Sequence, residues 1–160
     1  IRPVGGLETG LRINAGDRID YNNSRPAKMQ SIEPFVHWNI NRHLSLRLRT
    51  DFFQLETEEG NEIIDADVYD LRLTWQFNRR SYLRFTTQQF DISRNQDEYV
   101  DDVDAKTRDV GRQLLYSYKI NPQTVFFLGY SDNLTDDDTL SGLEETDRTA
   151  FMKIGYAFTP

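Results

Sequence analysis

The sequence predicts an all-β protein, specifically an antiparallel up-and-down transmembrane β-barrel of eight strands with short periplasmic turns and long extracellular loops. Apolar and polar residues alternate with period two along most of the chain, and helical periodicity is almost absent. Short and long connections alternate between the resulting strands, as in outer-membrane barrels. Tryptophan and tyrosine lie near the ends of the apolar stripes, where a membrane interface would favour them.

The strand positions follow from the runs of alternation and from the polar segments between them. We predict strands at about 5–19, 29–40, 44–56, 66–78, 81–93, 107–120, 123–132 and 147–159.

The composition is that of a single domain, residues 1–160, with 28% charged residues and a net charge of −7. No apolar run is long enough for a transmembrane helix, but a barrel strand exposes only alternate residues to lipid. The acidic balance argues against a nucleic-acid partner, and the lack of cysteine excludes disulfides. The chain starts at Ile1 without a leader, so we expect a removed signal or an excised piece, such as the last eight strands of a larger barrel.

The connections are of two kinds. Three are short and share an asparagine that follows an apolar residue: Ile40-Asn41-Arg42-His43, Phe77-Asn78-Arg79-Arg80 and Ile120-Asn121-Pro122-Gln123. An asparagine side chain can bond its own main chain, so it favours a tight turn. The other four connections are polar and predicted to be long, at 20–28, 57–65, 94–106 and 133–146.

Each predicted strand has one apolar face. In the four strands that descend into the short turns, a tryptophan or tyrosine lies two residues before the end of this face, and leucine, isoleucine and valine dominate the middles. We predict that this apolar face meets lipid, with an aromatic girdle made of Trp38, Trp75, Phe77, Tyr116, Tyr118, Tyr130, Tyr156 and Phe158.

The opposite, polar face carries arginine together with aspartate or glutamate on several strands. In a membrane barrel this face lines the lumen, and we predict a lumen charge network of Glu8, Arg12, Glu33, Arg47, Arg49, Asp51, Asp70, Arg72, Arg84 and Lys153. In a closed eight-stranded barrel these side chains fill the interior. In a wider barrel they line a wet channel and set its selectivity. The plugged interior is the preferred interpretation for this chain by itself.

A soluble β-protein is the competing interpretation, because there the apolar face would form a core and the polar face would meet water. Alternation alone does not separate the two. The interfacial aromatics, the paired charges of the polar face and the use of every strand favour the membrane barrel.

The end of the chain resembles a known signal. The stripe Met152, Ile154, Tyr156 and Phe158 is similar to the C-terminal signal of bacterial outer-membrane proteins, although Thr159 and Pro160 follow it here. The resemblance implies recognition by the barrel-assembly machinery. The stretches LLYSYKINPQTVFFLGYSDN and DRTAFMKIGYAF also resemble the C-terminal barrel end of large proteobacterial outer-membrane proteins that carry an N-terminal carbohydrate-binding-like domain. That resemblance implies no catalytic residues.

Catalytic and metal-binding candidates are few. His37 falls on the polar face and His43 in a short turn, so neither lies at the outer rim where barrel enzymes place a histidine. The long connections are rich in aspartate and glutamate, but they lack the ligand spacing of a calcium loop, and solvated, mobile loops are preferred. Basic residues near the outer strand ends either meet lipopolysaccharide phosphates or balance the acidic loops: Arg18, Arg25, Lys28, Arg94, Lys106, Arg108 and Arg112.

The functional hypothesis is a non-enzymatic barrel in the outer membrane of a Gram-negative bacterium. It would serve as a membrane anchor or scaffold, in contact with the lipid bilayer, lipopolysaccharide and another protein. The alternative is a channel or transport barrel of which this chain is the C-terminal part, and an outer-membrane enzyme is the weaker alternative. We predict no cofactor, no metal site and no catalytic residues.

Overall fold

The computed structural model describes residues 6–158, which form one antiparallel sheet. The predicted strand ends at residues 5 and 159 lie outside this range. Each strand pairs with its sequence neighbour, so the prediction of an all-β, up-and-down chain of eight antiparallel strands is confirmed. No helix in the described range is long and apolar enough to cross a bilayer. The strands are β1 (Leu7–Asp20), β2 (Arg25–Asn39), β3 (Leu44–Thr57), β4 (Glu62–Asn78), β5 (Ser81–Arg94), β6 (Lys106–Asn121), β7 (Thr124–Asp137) and β8 (Glu144–Tyr156).

The sheet is open over residues 6–158. Contacts between strands join sequence neighbours only, and β1 makes none with β8. Both are therefore edge strands, with one row of backbone N–H and C=O groups that no described strand pairs.

The asparagine turns form as predicted. The Asn41 side-chain oxygen accepts from the backbone N–H groups of His43 and Leu44, at 2.7 and 2.9 Å. Asn78 accepts in the same way from Arg80 and Ser81, at 2.8 and 3.1 Å. Asn121 accepts from Gln123 at 2.9 Å. The side chain thus replaces a main-chain acceptor at each reversal, which makes the short turns a local property of the sequence.

The prediction of long connections at the other end is wrong for two of the four. The β1–β2 connection is only 21–24 and the β3–β4 connection only 58–61, whereas 95–105 and 138–143 are longer. The strands continue outward because backbone pairing persists there. Asp17 pairs with Lys28, and Gln54 pairs with Asp65. The apolar residues there, Ala27, Ile63 and Ile64, do not alternate regularly with polar ones, so the pattern that reveals a strand in the sequence is lost. In the β3–β4 turn Gly60 adopts φ 92°, which favours glycine.

Cross-strand pairing carries one set of faces across the whole sheet. Leu46 of β3 lies between Trp38 and Leu73, and Arg47 lies between His37 and Arg72. The apolar face is thus continuous from β1 to β8, as is the polar face. The apolar side chains of this face are exposed or half-buried, with Leu11 61%, Trp75 46% and Met152 71% exposed. Within residues 6–158 the buried hydrophobic side chains are only Ala27, Leu55 and Ile63.

The strands are staggered evenly. Trp38 on β2 pairs with Leu46 on β3, and Leu46 pairs with Leu73 on β4. Trp75 lies two residues beyond Leu73, so the offset is two residues over two strands. The same offset leads from Trp75 to Tyr118 and from Tyr118 to Tyr156. With one residue of stagger per strand, a rise of about 3.3 Å per residue and a strand spacing of about 4.8 Å, the line through these four aromatics runs about 35° from the perpendicular to the strands.

Two glycines of the polar face lie under aromatic rings. A Cβ atom added to Gly10 would stand 2.3 Å from the ring of Phe35, and one added to Gly129 would stand 2.2 Å from the ring of Phe151. Each glycine is the cross-strand partner of the phenylalanine that covers it. The rings lie flat along the sheet because glycine leaves room for them, as in the aromatic rescue of strand glycines.

Candidate functional site

The pairing register brings the ten residues predicted for the lumen to the same polar face. Across all seven strand pairings, residues of the polar face pair with residues of the polar face. The residues from Glu8 on β1 to Lys153 on β8 therefore lie on one side of the sheet. Whether they line a lumen stays a prediction. The carboxylates and the arginines divide into two groups with different partners.

The carboxylates of this face are mostly held by neighbours other than the clustered arginines. Glu33 accepts from Arg12 at 2.9 Å and from Asn14 at 3.0 Å. The Ser31 hydroxyl donates to Asp51 at 2.8 Å, and the Gln88 amide donates to Asp70 at 2.8 Å. Glu8 lies 3.9 Å from the Nδ1 atom of His37. Among these ten residues, within the range 6–158, Arg12 and Glu33 form an ion pair between arginine and carboxylate.

Four arginines of the polar face make no ion pair with any described residue: Arg47, Arg49, Arg72 and Arg84. Arg47 and Arg72 are direct cross-strand partners, an arrangement that costs free energy for like charges. The Nε atoms of Arg72 and Arg84 are shielded from solvent and have no hydrogen-bond partner in the described range. The guanidinium of Arg84 lies 5.1 Å from the ring centre of Tyr82.

Three of these arginines line one hollow of about 430 Å³, which we call the arginine hollow. His37 and Glu8 close its β1–β2 side. The His37 Nε2 atom is also shielded and lacks a partner among residues 6–158. The hollow is rich in donors and has one carboxylate. Its lining comprises Glu8, His37, Trp38, Asn39, Ser45, Leu46, Arg47, Arg72, Thr74 and Arg84.

The second histidine is remote from this hollow. His43 is exposed in the β2–β3 turn, where its Nδ1 lies 2.7 Å from the Gln76 carbonyl oxygen. Its contact is with main chain at the sheet end, which is a structural role. Across residues 6–158 no group of three or more His, Asp or Glu side chains is arranged to hold a metal ion.

The outer end of the polar face is covered by the β5–β6 connection, 95–105. Tyr99 of this connection packs on a small cluster, the outer cluster, formed by Ala27, Leu55 and Ile63. The Asn95 N–H donates to the Ile63 carbonyl at 3.1 Å. This connection docks on the sheet through Tyr99 and the Asn95 N–H, while its aspartates Asp97, Asp101, Asp102 and Asp104 are exposed, as predicted for a solvated loop. The sequence signal was weak, because the contacting residues are isolated in polar surroundings.

A buried carboxylate ties the same connection to the β1–β2 turn. Asp20 is 3% exposed and accepts from Asn23 at 2.7 Å and from Arg25 at 3.1 Å. Arg25 also reaches Glu98, with 2.8 Å between Nη1 and the carboxylate. Burial raises the pKa of Asp20, but the hydrogen bonds from Asn23 and Arg25 outweigh it, so this pKa lies below its usual value. We call this set the outer clasp: Asp20, Asn23, Arg25 and Glu98.

The basic residues predicted to meet lipopolysaccharide have several different partners. Arg25 belongs to the outer clasp, and Arg18 lies on the polar face, 5.7 Å from the ring centre of Phe53. Arg94 donates to the Thr107 hydroxyl at 3.0 Å. On the other face Arg108 pairs with Asp91, and Arg112 binds both oxygens of Asp132, at 2.8 and 3.0 Å. Lys28 and Lys106 form no ion pair in the described range.

The predicted girdle and assembly-signal residues lie together on the apolar face or directly after it. Trp38, Tyr118 and Tyr130 are 41%, 37% and 38% exposed. Phe77 packs edge-on against Tyr116, with ring centres 6.5 Å apart. The C-terminal stripe stands out on the edge strand, with Met152, Ile154, Tyr156 and Phe158 between 63% and 78% exposed. Phe158 lies two residues beyond the end of β8.

Comparisons with protein-family models, with curated proteins and with solved structures gave no match.

Proposed function

We propose that this chain forms the wall of a β-barrel in the outer membrane of a Gram-negative bacterium and serves as a non-enzymatic membrane anchor or scaffold. The apolar face would meet the lipid and the polar face the lumen. The observation that carries the proposal is the apolar face itself, which runs across all eight strands and has no described element packed on it. A large exposed apolar surface needs an apolar environment.

The accessible surface supports this reading over a soluble protein. The chain exposes 11224 Å², whereas a compact soluble protein of 18.8 kDa exposes roughly 8,300 Å². The small outer cluster is the one buried hydrophobic core of the described residues. A sandwich or a soluble barrel would bury the apolar face. In this chain the docked connection, 95–105, covers part of the polar face instead.

The dimensions of the apolar face also suit a bilayer. If the four aligned aromatics lie at one depth, the strands tilt by about 35° from the membrane normal, which is the tilt of membrane barrels. The stripe from Phe52 to Leu44 then extends about 26 Å along the strand and about 22 Å along the normal. That height is close to the apolar band of about 25 Å in outer-membrane barrels.

We infer the orientation and the partners from the two ends of the sheet. The short asparagine turns would face the periplasm, and the longer acidic connections would face outward. Lys28 and Lys106 are the residues we propose for lipopolysaccharide phosphates, because Arg108 and Arg112 already have carboxylate partners. The exposed stripe on β8 would be recognised by the barrel-assembly machinery, as its resemblance implies.

Refolding into detergent micelles tests the membrane proposal. We expect the chain to fold only with detergent or lipid and to migrate differently on gels with and without boiling, because a folded barrel resists unfolding by the gel detergent. A sample boiled before loading is the control. A chain that is folded and monomeric in plain buffer would refute the proposal.

A channel is the second candidate, and the open sheet favours it. β1 and β8 make no contact within residues 6–158, although a closed eight-stranded barrel would pair them. Closure through further strands or a second copy would give a wider barrel with a wet lumen. We expect steady conductance in planar bilayers if this holds. A folded chain that inserts and shows no current would leave the anchor as the function.

A further inference from the structure

The arginine hollow has an excess of hydrogen-bond donors that the described residues leave unmatched. Arg47 and Arg72 face each other across β3 and β4, and Arg84 stands on the next strand. The carboxylates on the same face are engaged elsewhere, by Arg12, Asn14, Ser31 and Gln88. Within residues 6–158 the hollow therefore sets three guanidinium groups against a single lining carboxylate, that of Glu8.

Some of the donors that lack an acceptor are also shielded from solvent. The Nε–H groups of Arg72 and Arg84 reach neither solvent nor an acceptor among the described residues, and neither does the Nε2 atom of His37. A buried donor without an acceptor costs free energy, more so when it is charged. The one carboxylate in the lining, Glu8, lies nearest His37 rather than the arginines. What the hollow lacks is an acceptor with several oxygens.

We propose that the arginine hollow binds a small oxyanion of the phosphate type, held by Arg47, Arg72 and Arg84. Guanidinium groups bind phosphate through paired, charge-assisted hydrogen bonds. A tetrahedral anion can accept from three guanidinium groups at once, and its charge offsets the repulsion between Arg47 and Arg72. The hydroxyl groups of Ser45 and Thr74 line the same hollow and supply further donors.

The inference rests on the proposed function in one respect, which is that water must have access to the polar face. It does not require a choice between anchor and channel, because the hollow on the open sheet already has room for one hydrated ion. Its failure can therefore be separated from a failure of the membrane proposal.

The test titrates inorganic phosphate into the chain folded in zwitterionic detergent, at constant ionic strength set with sodium chloride. We expect saturable shifts of the Arg72 and Arg84 Nε–H resonances in nitrogen-15 spectra. Arg72→Gln should weaken phosphate binding about tenfold or more, since it removes a bidentate charged donor. Arg12→Gln is the matched control, because Arg12 lies on the same face but is already paired with Glu33, and its affinity for phosphate should be unchanged.

Several outcomes would overturn the site. These are a folded chain with no saturable shift, equal shifts with chloride alone, and equal loss of affinity in the Arg12→Gln control. Each would leave the membrane proposal standing. If Arg72→Gln does not fold, Arg84→Gln provides the same comparison. A chain that never folds in micelles would overturn the membrane proposal and this site together.

Discussion

Leu73→Arg is expected to lower the free energy of unfolding in lipid by about 2–4 kcal/mol, the cost of an arginine on the lipid face near the midplane of a membrane barrel. Leu73 lies in the middle of the apolar stripe of β4, between Leu46 and Phe85, and is 36% exposed. A charge at this position would have to enter the hydrocarbon region. Unfolding by denaturant in lipid vesicles, followed by tryptophan fluorescence, measures the change.

Gln113→Arg is the matched control for this substitution. Gln113 lies on β6 between Thr86 and Ser131, on the polar face, and is exposed. The new arginine would project into the lumen, so we expect a change within about 0.5 kcal/mol, as for an ordinary surface substitution. Equal losses for the two variants, or no loss for Leu73→Arg, would show that the apolar face does not meet lipid.

Asp20→Ala is expected to destabilise the outer end by about 2–3 kcal/mol, because it leaves donors of the outer clasp without their acceptor. Asn23 and Arg25 would lose a buried partner, and Arg25 would no longer be held toward Glu98. Hydrogen exchange should then rise in the connection 95–105 while the strand interiors stay protected. Asp101→Ala is the control, since Asp101 is exposed in the same connection.

The pH dependence of this effect has a definite sign. The pKa of Asp20 is lowered in the folded state, so its contribution to stability is present above the pKa of the unfolded chain. It is lost as pH falls through the lowered, folded-state pKa, which means below about pH 4. The difference between the wild-type chain and Asp20→Ala should therefore narrow at acid pH. A difference that stays constant down to pH 2 would exclude the Asp20 carboxylate as the cause.

Much of the fold could be predicted because it depends on local chemistry. The turns at Asn41, Asn78 and Asn121 close through hydrogen bonds between residues two or three apart. Strand faces follow from strict alternation, so the sides of Leu73 and Arg72 could be assigned before any pairing was known. The outer parts of β2 and β4 were missed, since the few apolar residues there, Ala27, Ile63 and Ile64, follow no regular alternation.

The candidate site was predicted only as a face. Residues such as Arg47 and Glu33 could be placed on the same side of the sheet, but which charges pair depends on register between strands. Asp51 accepts a hydrogen bond from the Ser31 hydroxyl, and Asp70 accepts one from the Gln88 amide. Both donors are neutral groups. The outer clasp could not be foreseen either, because Arg25 and Glu98 come together only when the β5–β6 connection folds over the sheet.

By itself, the sequence determined the strand order, the short turns and the two faces, since each of these is set by residues within a few positions of one another. The tertiary structure alone decided the even stagger, the docking of 95–105 and the gathering of arginines around one hollow. It also decided that β1 and β8 do not meet within residues 6–158. These features depend on the register and curvature of strands far apart in the chain. A period-two pattern does not distinguish registers that differ by an even number of residues.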